Sequence, residues 1–191
     1  MATTLNGRRV AILAADGVER VELEQPRQAL DNAGARTDLV SITSGEIQAR
    51  DHDLEDAGTF PVDQLVGAVS VDDYEALLLP GGTVNPDKLR MEPAAVQFVR
   101  DFVLSGKPVA SICHGPWNFV EADVARGRRL TSWPSVRTDL RNAGAEVVDE
   151  QVVTDGTITT SRSPDDLPAF CARIVQEFAR APRTAAAGGG A

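Results

Sequence analysis

Apolar and polar positions along the chain follow two alternating rhythms. Short, nearly continuous apolar runs lie in RRVAILAAD (8–16), ARTDLVSIT (35–43), YEALLLPGG (74–82) and KPVASIC (107–113). Runs of this length bounded by Gly, Pro or Asp predict buried strands. Between them stand helical periods. VERVELEQPRQALDNAG (18–34) reads as a helix stopped at Gly34, with a bend or break at Pro26. EPAAVQFVRDFVLSG (92–106) starts with Pro93 in the first turn and sets Val96, Val99 and Val103 on one face. WPSVRTDLRNAG (133–144) repeats the helix-then-glycine form, and EVVDEQVVTDGTITTS (146–161) predicts strands joined at an Asp155-Gly156 hairpin turn. In PDDLPAFCARIVQEFAR (164–180), Leu167, Phe170, Cys171, Ile174, Val175 and Phe178 make one apolar stripe. The stretch from Gly45 to Asp73 is polar and turn-rich, a hairpin or an excursion.

Strand–helix alternation with apolar strands predicts an α/β fold: a mostly parallel sheet with helices on both faces. Sites in such sheets form beyond the carboxyl ends of strands. Three loops sit at such ends: Ala15–Glu19, Pro80–Asp87 and Cys113–Trp117. The 191 residues suffice for one domain, expected over 1–181, with PRTAAAGGGA (182–191) as a disordered tail.

Charge and composition narrow the function. The net charge is −9 with no basic cluster, which argues against a nucleic-acid surface or a polybasic membrane patch. No run approaches the ~18 apolar residues of a membrane span, and the first residues do not have the form of a signal peptide. The expected compartment is the cytoplasm. Two cysteines, Cys113 and Cys171, are too few for a disulfide framework or a structural zinc site. There is no dinucleotide fingerprint, phosphate-binding loop or metal-ligand spacing, so no cofactor and no metal are expected.

VASICHGPW (109–117) holds the candidate chemistry. Cys113 ends a strand and is flanked by Ser111 and Gly115, the small residues that a nucleophile elbow requires. At the start of a helix, free N–H groups and the helix dipole favour a thiolate. The same cysteine could also be a buried filler. Cys171, on the last apolar stripe, reads as core. His114 could orient a substrate or occupy a turn; His52, in ARDHDLED, reads as a solvated loop residue. Gly81 and Gly82 permit close backbone approach, and their N–H groups, with that of His114, could form an oxyanion hole. Glu19, Glu22 and Glu24 share one acidic segment, and composition does not tell them apart.

ADGVERVELEQP, YEALLLPGGTVNPDKLR, GKPVASICHGPW and the block from Gly127 to Phe170 resemble, in order, those of the ThiJ/PfpI superfamily, above all its PfpI-type branch of intracellular cysteine peptidases and bacterial general stress proteins. The resemblance runs from Arg8 to Arg180 and is weakest over 45–73. It implies a flavodoxin-like three-layer sandwich of the class I glutamine amidotransferase-like group. By that likeness Cys113 is the reactive cysteine, His114 the histidine that follows it, and Glu19 the acid bonded to the thiol. Asp87 falls where the peptidase branch has a glutamate that reaches His114 of a neighbouring subunit, which implies a homo-oligomer, at least a dimer. Aspartate is a methylene shorter, and GGTVNP makes the loop before it one residue longer.

The implied activity is cofactor-free cysteine chemistry, either peptide hydrolysis or a glyoxalase or deglycase reaction on methylglyoxal and its adducts. A low-pKa thiol beside a carboxyl also oxidises readily, so the competing reading is a non-enzymatic oxidative-stress sensor or chaperone acting through Cys113.

Overall fold

The computed structural model describes residues 4–180. In chain order the elements are β1 (Arg9–Leu13), β2 (Val18–Glu19), α1 (Arg20–Asn32), β3 (Arg36–Ser41), β4 (Glu46–Asp51), β5 (Glu55–Pro61), β6 (Gln64–Leu65), β7 (Ala76–Leu79), α2 (Val84–Arg90) and α3 (Pro93–Leu104). There follow β8 (Val109–Ile112), α4 (Trp117–Glu121), β9 (Arg129–Leu130), α5 (Arg137–Asn142), β10 (Glu146–Val147), β11 (Val152–Asp155), β12 (Ile158–Ser161) and α6 (Leu167–Arg180). The main sheet has the order β11-β12-β8-β7-β1-β3-β6, parallel throughout except for the β11–β12 hairpin. The expected tail, 182–191, lies outside the described residues.

The strand residues divide by alternation. Val10, Ile12, Leu78, Ala110 and Ile112 pack on one face beneath Leu23 and Leu30 of α1 and Phe170, Ile174 and Phe178 of α6. Ala11, Leu13, Leu77, Leu79 and Val109 pack on the other, against Leu89, Phe98, Phe102, Phe119 and Leu140 of α2 to α5. Each strand is therefore buried on both sides, and that is why it reads as a continuous apolar run. A fully buried Leu or Phe contributes about 1.5–3 kcal/mol, so the two cores hold the helices firmly against the sheet.

Details of the expected elements shift with packing. α1 starts at Arg20 and continues through Pro26. α3 buries Ala95, Phe98, Val99, Phe102 and Val103, a stripe centred on its phenylalanines. Cys171 is half-buried at the edge of its stripe. The polar segment 45–73 resolves into the antiparallel hairpin β4–β5, whose β4 also pairs with β2 in a three-stranded sheet. This hairpin brings its turn, His52–Asp53, to the carboxyl end of the main sheet.

Because β1, β7 and β8 are parallel neighbours, the loops that follow them meet at one edge. They are the three loops singled out from the sequence.

Candidate active site

β8 ends at Ile112 and the chain turns sharply at Cys113, whose φ is +61°. A non-glycine residue in this region is strained by about 1 kcal/mol or more and needs neighbours that hold it. The Cys113 N–H donates to Ser161 O (3.1 Å), the Cys113 carbonyl accepts from Trp133 N–H (2.9 Å), and Gly115 N–H donates to Ile112 O (2.9 Å). Gly115 is sterically required: a Cβ there would lie 2.5 Å from Ser111 Oγ and 2.6 Å from Leu79 O. Its amide is spent on the turn, so Gly115 shapes the elbow and is no oxyanion donor. α4 begins only at Trp117 and spans five residues. Cys113 thus lies a full turn ahead of the helix, and the N–H groups facing its sulfur are those of His114 and Gly82, which favour the thiolate.

The acid beside the sulfur is Glu22, not Glu19. Glu22 is fully buried on the inner face of α1. Its Oε2 accepts the Gly81 N–H at 2.9 Å, its Oε1 is buried without a hydrogen-bond partner among the described residues, and the carboxyl lies beside Cys113. The Gly81 amide is therefore engaged with Glu22 rather than free for an oxyanion. A Cβ on Gly81 would fall 2.4 Å from Glu22 Oε2 and 2.7 Å from Cys113 Cβ, so only glycine fits between them. Glu19 points elsewhere: its Oε1 accepts His52 N–H (3.2 Å) and its Oε2 accepts Asp53 N–H (3.3 Å). The two residues differ because Glu19 precedes α1, whereas Glu22 stands on its buried stripe with Leu23, Pro26 and Leu30.

Burial pushes the Glu22 carboxyl up to about 8, with the Glu19 charge adding to the effect and the Gly81 amide opposing it. Burial also pushes the Cys113 thiol up, and an ionised Glu22 pushes it further; the His114 and Gly82 amides act the other way. While Glu22 keeps its proton, below about 8, its repulsion of a thiolate is absent. The environment thus favours a protonated carboxyl and a neutral thiol, and ionising the sulfur takes a base, for which His114 is placed.

His114 lies 6% exposed between Trp117 and Trp133, tilted against the first and stacked on the second. Its Nδ1 is 3.3 Å from Cys113 Sγ and its Nε2 is 3.2 Å from Ser135 Oγ. With the proton on Nε2 donated to Ser135, Nδ1 is an acceptor aimed at the thiol. Burial lowers the His114 pKa and the Asp53 charge partly restores it.

Asp87 is exposed on α2 and does not line the cavity around Cys113; within the chain, His114 Nε2 lies against Ser135 Oγ. That cavity, about 280 Å³, is lined by Glu19, Glu22, His52, Asp53, Gly82, Cys113, His114, Trp133 and Pro164. Both histidines of the chain border it, including His52, exposed at the hairpin turn. Asn85, fully buried, ties the floor together: its Oδ1 accepts Ala15 N–H (2.7 Å), and its Nδ2 donates to Pro80 O and Gly81 O (both 3.0 Å).

Four residues of the site were not assigned to it from the sequence. Glu22 carried a signal, its helical phase with Pro26 and Leu30. Asn85, Asp53 and Ser135 are ordinary polar loop or helix-start residues, and their roles exist only in three dimensions.

Comparison with known proteins agrees with this architecture. The DJ-1/PfpI family model matches residues 8–177. The protein/nucleic acid deglycase 2 of Escherichia coli is 40% identical over 165 residues, covering 85% of this chain and 93% of the relative. An uncharacterised protein of Archaeoglobus fulgidus is 40% identical over 173 residues, covering 90% and 99%. Among solved structures, a two-domain Anabaena variabilis protein with DJ-1/ThiJ/PfpI-like and ferritin-like domains superposes with a TM-score of 0.84 at 31% identity, covering 95% of this chain and 52% of that one. Drosophila melanogaster DJ-1beta gives 0.81 at 26% identity, covering 90% of each. The sheet order and the flanking helix layers are thus those of a flavodoxin-like sandwich, and the chain belongs to the DJ-1/PfpI family.

Proposed function

We propose that the protein is a cysteine-dependent enzyme of the deglycase or glyoxalase type, acting on small reactive dicarbonyls such as methylglyoxal and on their adducts with amines and thiols. The observation that carries this reading is the setting of Cys113: a sulfur on a strained turn, against a carboxyl held up to about 8, with an imidazole nitrogen 3.3 Å away. Cys113 Sγ adds to the carbonyl carbon, and His114 Nδ1 takes the thiol proton. The new oxyanion lies against the Gly82 and His114 amides. Glu22, still protonated, supplies a proton to the oxygen. The chain's own groups suffice for these steps.

The cavity favours a small substrate. About 280 Å³ closed in by His52, Asp53, Trp133 and Pro164 suits a dicarbonyl adduct better than an extended peptide, which needs a groove. The name of the Escherichia coli relative points the same way. Peptide hydrolysis, and a sensing role through oxidation of Cys113, are outcomes that the test separates.

Asp87 is proposed to act only between subunits, reaching toward His114 of a second copy in a homodimer or larger assembly. Native mass measurement with Asp87→Ala addresses this; a fully active monomer would refute it.

The test of function is a substrate panel of methylglyoxal, methylglyoxal-treated N-acetylarginine and N-acetyllysine, and peptides, run on wild type and Cys113→Ala. Turnover of the dicarbonyl or its adducts, lost in Cys113→Ala, is expected. Cleavage of peptides alone selects the peptidase. No turnover, with protein binding changed by oxidation at Cys113, selects the sensor. Turnover that survives Cys113→Ala rejects the thiol mechanism.

A further inference from the structure

The turn between β4 and β5 holds its own strained geometry. His52 and Asp53 are consecutive non-glycine residues at φ +51° and +65°. Such conformations are strained and persist where neighbours impose them. Glu19 imposes this one. Its two carboxylate oxygens accept the two amides of the turn, and the residue is only 7% exposed. The hydrogen bonds of this carboxylate go to the turn, although the residue borders the cavity.

The next link is Asp53. Its Oδ1 accepts the Thr83 N–H at 2.6 Å and its Oδ2 accepts the Thr83 Oγ–H at 2.8 Å. Thr83 directly follows Gly82, whose N–H faces Cys113 Sγ. From the opposite side Gly82 is wedged against Gly17 and Glu19: a Cβ there would meet Gly17 O at 2.3 Å and Glu19 N at 2.7 Å. Glu19 N–H itself donates to Gly81 O at 3.3 Å. Gly82 is therefore packed against the backbone of Gly17 to Glu19, and the peptide that follows it is gripped by Asp53.

We infer that Glu19 and Asp53 are positioning residues: Asp53, locked in its turn by Glu19, grips Thr83 through both donors and fixes the aim of the Gly82 amide at the reacting centre. This inference rests on the proposed function in giving that amide an oxyanion to bind. An oxyanion donor acts within a few tenths of an ångström, so loosening the grip lowers kcat and spares KM.

The test uses Thr83→Val, which keeps the branched shape and the amide but removes the hydroxyl, and Thr83→Ser, which restores it. Asp53→Asn and Glu19→Gln complete the set. Each is assayed for kcat and KM on methylglyoxal and, separately, for the rate at which iodoacetamide alkylates Cys113, with thermal melting as the folding control. Thr83→Val and Asp53→Asn are expected to lose about tenfold in kcat with KM within twofold, and Thr83→Ser to recover to within threefold of wild type. Because the Gly82 amide faces the sulfur before substrate arrives, alkylation should also slow several-fold in Thr83→Val and Asp53→Asn. Unchanged kcat and alkylation in both variants would overturn the inference, and so would a failure of Thr83→Ser to recover. If wild type turns over no carbonyl substrate, the functional reading fails, and the alkylation rates alone decide the positioning role.

Discussion

Glu22 and Cys113 meet across the backbone of Gly81. The Gly81 amide bonds the carboxylate at 2.9 Å, and its missing side chain leaves the gap in which acid and sulfur face each other. The carboxyl comes from α1 and the thiol from the end of β8, so the relationship requires the whole sheet between them.

Burial of Glu22 ties stability to pH. Its pKa rises on folding from 4.5 to about 8, so the folded chain holds a proton that the unfolded chain releases. This contribution is complete below 4.5 and is lost as pH rises toward 8. Urea midpoints at pH 5 and pH 8 should therefore separate more in wild type than in Glu22→Gln, with wild type losing ground on the alkaline side. Equal shifts in both proteins would contradict the assignment of Glu22.

Replacing Gly81 by alanine puts a Cβ 2.4 Å from Glu22 Oε2 and 2.7 Å from Cys113 Cβ. The backbone must move, at about 1–3 kcal/mol. Activity should fall at least tenfold, because the displaced loop carries the Gly82 amide. A Gly81→Ala protein with wild-type melting and kcat would show that the loop is looser than described.

Strain at Cys113 can be measured by substitution. Glycine accepts φ +61° freely, whereas alanine retains the penalty. Cys113→Gly should therefore be more stable than Cys113→Ala by about 1 kcal/mol in urea unfolding. Both should be inactive. If alanine proves the more stable, the turn is not under tension.

Asn85 satisfies an amide and two carbonyls at the base of the site. Asn85→Ala removes the partner of the Ala15 amide and the Pro80 carbonyl, while Gly81 O keeps the Glu19 N–H, and a loss of about 2 kcal/mol is expected from chemical denaturation. A loss below about 0.5 kcal/mol would mean that water replaces the side chain.

His114 should set the acid side of the activity profile. Burial lowers its pKa from 6.5, so it is neutral and able to accept a proton at pH 7. Activity should hold down to pH 6.5 and decline only below it; Asp53→Asn, which removes the charge that raises His114, should move the decline lower still. A decline that begins above pH 6.5 would assign that limb to another group.

The parts of the fold that were legible in the sequence are those whose burial is simple. β1, β3, β7 and β8 are buried on both faces, and their apolar runs say so. The β11–β12 hairpin is marked by Asp155-Gly156. The elbow is legible because Ser111 and Gly115 have to be small. The acid was misplaced because three glutamates lie within six residues, and only packing against the sheet distinguishes Glu22. The hairpin turn was missed as part of the site because His52 and Asp53 look like solvated loop residues; their role comes from β4 pairing with β2, a contact between segments about 30 residues apart.

The most direct measurement is quenched-flow mass spectrometry of the protein mixed with methylglyoxal. The account requires a transient mass increase on the peptide that contains Cys113, decaying as product forms and absent from Cys113→Ala. Modification confined to Cys171, lysine or arginine, or none while substrate is consumed, would contradict it.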